Sequence, residues 1–495
     1  MTHQTCFLPH FPHHLQGRPK PSSASILDKA AANLKNFALP DVAAIVGSLL
    51  PRDFFSSAPD ALPQRERIYT PITVLWAFLF QVLHPGMACQ EVVGKVRAWM
   101  LKRPLNPKRP SLDSSSYCEA RLALSFPLIA AFGAALLHRL EQRAASAWLW
   151  CGRPVKVIDG TSLSMPDTPA NQRRWPQHSS QKAGCGFPVV KVLGVFCLST
   201  GGWLGYALSR WNRHDLGLWS KVAHLLRRGD VLLGDAGFCA WALMAELSER
   251  GVDCVFRLHQ MRPKDMRHGK RLGKGDRLQV WSKPVQRSPG SPWSARAWRK
   301  LPAQIAVRVI KMPIERKGFR TTCIWLATTL TDAQRYCTGE LTALYYRRWS
   351  IELCFRDLKT TMHMEVLRCK SPAMIEKEIA MHAAAYNALR GLILESASLH
   401  HQELGRISFK GALDLLRQWL PGAATWHDAP RKMSDWLDEL LAAIAKVQNA
   451  HRPGRREPRA RKRRPKAYSL LTAPRRKFKE ISRRESLRRS KARAA

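Results

Sequence analysis

The chain has 495 residues, 45% of them hydrophobic, which is too long for one ordinary core and enough for two to four domains. Its 80 Lys and Arg against 37 Asp and Glu give a formal charge of +43, more than packing explains, so the expected partner is a polyanion. The longest apolar runs, such as 72–83 and 126–137, are too short and too interrupted for the ~20 residues of a bilayer span, so no membrane partner is expected.

Residues 1–25 read as a disordered polar leader. The opening MTHQTCFLPHFPHHLQG has no basic segment followed by an apolar one, so a cytoplasmic protein is expected rather than a secreted one. Twelve Cys without a C-x-x-C pair point to reduced thiols and away from zinc knuckles. From 26 to about 143 the pattern is helical, broken by Pro and Ser clusters at 103–110 and 111–116, which predicts a helical amino-terminal domain over 26–150.

From Val155 strand-like and helical runs alternate. Strands are expected at 155–158, 189–197, 203–209 and 231–234, with helical stretches at 216–226 and 239–249. Three strands, a helix, a strand and a helix is the order of a ribonuclease H-like core, so the fold class expected is α/β with a mixed sheet. The first part of that core would occupy 151–257 and the second 321–400, where TTCIWLAT at 321–328 supplies a closing strand.

Between them, 258–320 is too long for a loop and reads as a β-rich insertion with strand-like pieces at 278–281 and 305–310. A helical region follows at 401–449. The tail, 450–495, holds 19 Lys or Arg and 3 Glu, so it carries +16 and leaves +27 on the other 449 residues. It reads as a disordered arm of the kind that neutralises phosphates.

Residues 341–362 contain no Gly or Pro and read as one helix, with Leu341, Leu344, Trp349, Leu353 and Leu358 able to form its apolar side. At about 100° per residue, Tyr345, Arg348, Glu352 and Lys359 fall at roughly 0°, −60°, −20° and −40°, one narrow stripe. Such a stripe can be a surface ladder in which Arg348 pairs with Glu352 at i+4. Upstream, Asp159 follows the apolar Val155, Val157 and Ile158, and Asp235 follows Val231, Leu232 and Leu233. Each alone would usually be a turn or capping residue.

Taken together, VKVIDGTSLSMPDTPAN, GDVLLGDAGF and YYRRWSIELCFRDLK resemble the DDE transposases of the insertion-sequence-4 family, whose signature is Y-(2)-R-(3)-E-(6)-K. The resemblance extends from about Tyr69 onward. It implies a metal-dependent enzyme that excises and inserts a DNA element, with Asp159, Asp235 and Glu352 as catalytic residues and metal ligands and two Mg²⁺, or Mn²⁺, as cofactor. It further implies that Tyr345, Arg348 and Lys359 contact DNA, that the amino-terminal module reads transposon ends, and that a homodimer forms on DNA at the bacterial nucleoid. The insertion would carry an aromatic able to hold a flipped base, for which Trp281, Trp293 and Trp298 are the candidates. One departure stands out, Ala236 where relatives often carry Arg or another larger residue. The alternatives are an inactive DNA-binding relative and a ribonuclease H-like nuclease without strand transfer.

Overall fold

The structure is a computed structural model, and it describes residues 39–51, 53–58, 60–61, 68–101, 111–144, 148–288, 290–313, 323–426, 429–450, 470–474 and 477. The expected leader and nearly all of the basic tail lie outside these residues. The described amino-terminal part is helical, with α1 at Pro40–Val46, α2 at Pro71–Leu83, α3 at Cys89–Leu101, α4 at Ser115–Ala123 and α5 at Phe126–Gln142. Thr70 caps α2 by accepting the Thr73 N–H, and Pro71 at its first position needs no donor partner. Every residue from Ile72 to Phe80 is buried, so this helix runs through an interior.

The strands follow as β1 (Val155–Ser164), β2 (Val189–Cys197), β3 (Trp203–Arg210) and β4 (Val231–Gly234). After α6 (Trp241–Glu249) come β5 (Asp253–Arg257), β6 (Lys270–Gly273), β7 (Asp276–Ser282), β8 (Gln304–Pro313) and β9 (Cys323–Thr328). They form one nine-stranded sheet in the order β3-β2-β1-β4-β5-β9-β8-β7-β6. Strands β1 to β3 are antiparallel, β1, β4 and β5 are parallel, and the rest of the sheet is antiparallel. The strands expected in the insertion are therefore added to the edge of the central sheet, through β5 and β9, instead of closing on a sheet of their own.

Alternation along the strands separates two cores. Val155, Val157, Val231, Leu233 and Val255 face one side, while Ile158, Leu232, Cys254 and Phe256 face the other with Trp219 and Trp241. The first side is covered by α9 (Pro372–Leu399), which packs against α2, α5, α10 (Phe409–Trp426) and α11 (Pro430–Lys446). Residues of α1 to α5 belong to the same apolar cluster as β1 and β4. The amino-terminal helices thus share their core with the sheet. Burying a side chain such as Phe78 or Leu79 there is worth about 1.5–3 kcal/mol.

The expected continuous helix over 341–362 is in three pieces. Helix α7 (Thr338–Arg347) ends before Arg348, α8 (Ser350–Arg356) resumes at Ser350, and Asp357–Thr361 forms a π turn. Around the junction the N–H groups of Arg348, Trp349, Ile351 and Glu352 each reach back three residues, to Tyr345, Tyr346, Arg348 and Trp349. That is tight 3₁₀ winding, which turns ~120° per residue and advances the phase of everything after it. Consequently Trp349 and Leu353, expected on the apolar side, are 60% and 46% exposed.

Candidate active site

Asp159 and Asp235 come together through strand register. In the parallel β1/β4 pair, Val157 stands opposite Leu233. Two residues further on lie Asp159, within β1, and Asp235, just past the end of β4, near enough that the Asp235 charge raises the Asp159 carboxyl. Each carboxylate is held by a glycine: Asp159 Oδ1 accepts the Gly160 N–H at 2.8 Å and Asp235 Oδ1 the Gly237 N–H at 2.8 Å. The Asp159 carboxyl is pushed up to about 6, first by burial and then by the charges of Asp235 and Asp215, against the Gly160 N–H and Arg348. Two carboxylates so placed repel each other, and a divalent cation between them relieves that repulsion with the oxygen donors that hard cations prefer. The pair fits the metal chemistry implied by the sequence.

Arg348 lies where the 3₁₀ winding turns it inward, toward the strand ends. Its Nη1 is 3.4 Å from Asp159 Oδ2, and both side chains are mostly buried. The i+4 partnership with Glu352 is not formed. Tyr345, packed beneath Arg348, is buried; burial pushes its phenol up, while Arg348 and Arg257 nearby hold it back. Lys359, in the π turn, is 3.7 Å from Glu365.

Glu352 lies on α8 one turn before Phe355, whose ring packs beside Gly194, the β2 partner of Asp159. It is exposed on α8 and forms no ion pair with any described residue. Among the described residues no three His, Cys, Asp or Glu side chains are grouped to hold a metal ion. The structure therefore brings Asp159, Asp235, Arg348 and Tyr345 together, leaves Lys359 engaged with Glu365, and keeps Glu352 at the surface. Behind α8 lies a cavity of about 1050 Å³, bounded by Leu353, Arg356, Phe196, Phe409 and Lys410.

The three tryptophans of the insertion differ from a free base wedge. Trp281 and Trp293 are buried, the Trp241 indole donates to the Trp281 carbonyl, and the Trp293 indole donates to Glu246 Oε2 at 2.6 Å. Together with Trp298 and Arg262, Trp293 lines a cavity of about 570 Å³ that reaches Gly237 and His214. Sequence reasoning missed His214, Asp215 and Lys191, which back the two aspartate loops. No motif marks them, and only the folded sheet brings them there.

Residues 150–388 match the family described as the transposase DDE domain. Over 411 residues, 81% of this chain and 86% of the relative, the sequence is 26% identical to the transposase InsG for insertion sequence element IS4 of Escherichia coli (strain K12). Among solved structures it is similar to the cryo-EM structure of piggyBac transposase synaptic complex with hairpin DNA, with 12% identity, a TM-score of 0.41 and 86% of each chain covered.

Proposed function

We propose that this chain is a DDE transposase of the insertion-sequence-4 family, a DNA-cleaving and strand-transferring enzyme, and that it works through Asp159, Asp235 and Glu352. The observation that carries this reading is the approach of Asp159, midway along β1, to Asp235, just past the end of the adjacent parallel strand β4. The order β3-β2-β1-β4-β5, three antiparallel strands followed by two parallel to the first, supports a ribonuclease H-like core around them. Divalent metal, two Mg²⁺ or Mn²⁺ ions, would supply activation of a water or 3′-hydroxyl and neutralise the leaving oxygen.

Asp159 and Asp235 would hold that charge, and Glu352 would complete the set through a turn of α8. Arg348 neutralises Asp159, and its planar fork would be free to take a DNA phosphate wherever a cation balanced that carboxylate instead. Lys359, released from Glu365, adds a point charge on the same strand, and the Tyr345 hydroxyl hydrogen-bonds a phosphate near the cut. These contacts position the backbone and carry little sequence preference.

End recognition falls to the amino-terminal helices, and synapsis of two ends makes the acting unit a dimer on DNA. The enzyme acts in the cytoplasm, at the nucleoid.

The test supplies labelled inverted repeats, taken from the DNA flanking this reading frame, together with target DNA and Mg²⁺. Wild-type protein is expected to give both cleaved ends and joined products. Asp159→Ala and Asp235→Ala are expected to give neither while still binding the ends, because the phosphate contacts lie elsewhere. Undiminished cleavage by Asp235→Ala would refute the assignment.

A further inference from the structure

Both aspartates take an N–H from a glycine, and both glycines are backed by one short segment. Residues 213–215 run along the face of the sheet opposite the carboxylates. A side chain at Gly160 would meet Asp215 Oδ2 at 2.6 Å, Cγ at 2.8 Å and Oδ1 at 2.9 Å, so the Asp215 carboxylate lies directly against the backbone that holds Asp159. A Cβ at Gly237 would stand 3.8 Å from His214 Cε1, so the neighbouring imidazole backs the turn that holds Asp235.

The segment is itself fixed. Lys191 of β2, paired with Ser162 of β1, is 3.0 Å from Asp215 Oδ1 and donates to the Arg213 carbonyl at 2.6 Å. The Leu216 N–H donates to His214 Nδ1 at 3.3 Å, and the 3₁₀ turn Asp215–Leu218 that follows is anchored by buried Leu218 and Trp219.

We propose that His214 and Asp215 form a clasp that sets the separation and orientation of Asp159 and Asp235. They are positioning residues: neither faces the reacting atoms, and each acts through the glycine in front of it. Gly160 is required because any side chain there displaces the Asp215 carboxylate and, with it, the Asp159 loop. Lys191 balances the buried side of that carboxylate, so the clasp holds without adding net charge. The inference rests on the reading of Asp159 and Asp235 as metal ligands.

The experiment measures Mn²⁺ binding by electron paramagnetic resonance on the full chain without DNA, alongside cleavage as a function of Mn²⁺ and a melting curve. Outer partners of metal ligands typically contribute 10–100-fold in affinity. Asp215→Ala is therefore expected to weaken Mn²⁺ binding about tenfold and to raise the Mn²⁺ needed for half-maximal cleavage in parallel, with an unchanged melting temperature. Gly160→Ala is expected to cause a similar loss in the wild-type background and little further loss in Asp215→Ala, where the three atoms nearest the added methyl, Cγ, Oδ1 and Oδ2 of Asp215, are gone.

Asp215→Asn keeps the shape against Gly160 and loses only the Lys191 ion pair, so it reports even if Asp215→Ala fails to fold; a fall of a few-fold is expected. Wild-type Mn²⁺ affinity in both Asp215 variants, or a full additional loss from Gly160→Ala in the Asp215→Ala background, overturns the clasp. The two failures are distinguishable. If Asp159→Ala keeps Mn²⁺ binding and cleavage, the underlying site is wrong; if Asp159→Ala loses both while the Asp215 variants match wild type, the clasp alone is wrong.

Discussion

Strands β1 and β4 and the junction between α7 and α8 both hold acidic residues expected at one centre, and they position them by different means. Strand placement depends on a period of two and on register, and the parallel pair with Val157 opposite Leu233 carries Asp159 on β1 toward Asp235, one residue past β4. Helical placement depends on every intervening residue keeping the same turn. A few i→i+3 hydrogen bonds at 348–352 break that condition, placing Arg348 at Asp159 and leaving Glu352 exposed to solvent. A carboxylate carried by a strand is fixed by the sheet, whereas one beyond a helix junction is fixed only as well as the junction.

The largest effect tests this contrast directly. Asp159→Ala and Asp235→Ala are expected to abolish cleavage in any state of the protein. Glu352→Ala should abolish it too if α8 turns inward during the reaction, although Glu352 is exposed here. Cleavage assays with element ends decide: near-normal activity in Glu352→Ala alone would show that the α8 carboxylate stays outside and that the two strand carboxylates suffice.

A second test asks whether α7 is held while α8 moves. Arg308, buried on β8, donates through Nε to Asp276 Oδ1 at 2.9 Å and through Nη1 to the Tyr336 carbonyl at 2.6 Å, and the Thr338 hydroxyl donates to Asp276 Oδ2 at 2.9 Å. This network ties the start of α7 to the sheet. Removing one partner leaves a buried charge uncompensated, so Asp276→Ala is expected to cost about 3–5 kcal/mol in urea unfolding. A loss below about 1 kcal/mol would mean that the start of α7 is not anchored.

A third measurement uses the Asp159 carboxyl, raised to about 6 by burial. An unfolded Asp titrates near 3.9, so below pH ~4 both states are protonated and the folded form bears no penalty. As pH rises from about 4 through 6, the folded state must charge a buried group that the unfolded state charges freely. Metal-free wild-type protein is therefore expected to lose up to about 3 kcal/mol of stability across that window, a slope that Asp159→Asn should lack. Chemical unfolding in EDTA at pH 4 and 7 on both proteins checks the sign. Equal slopes would show that Arg348 already compensates the charge.

The same contrast explains how much was legible in the sequence. The apolar runs before Asp159 and Asp235 identified the strands, because a buried strand is written in a few consecutive residues. The strands of the insertion were legible too, but their joining to the central sheet through β9 was not, since edge pairing leaves no local pattern. The amino-terminal helices were visible by periodicity, while their sharing of one core with β1 and α9 depends on contacts hundreds of residues apart. Tyr345, Arg348, Glu352 and Lys359 were found by spacing. Their separation was hidden because nothing in YYRRWSIE, which lacks Gly and Pro, marks a break. His214 and Asp215 carry no signal at all, because their role exists only where two glycine turns meet.

The smallest expected effect probes the junction from its outer side. On an unbroken helix over 341–362 with its expected apolar face inward, Leu353 would be core, and truncating it would cost 2–5 kcal/mol in the usual range for buried leucine. With the 3₁₀ step, Leu353 is 46% exposed beside the cavity while Ile351 is 1% exposed. Leu353→Ala is therefore expected to change stability by no more than about 0.5 kcal/mol, as surface substitutions generally do. Ile351→Ala, two residues away on the same helix, should bear the core penalty. Melting curves on the two variants read the phase of α8 directly, and a reversal of their order would mean that α8 turns its Leu353 side, not its Ile351 side, to the core.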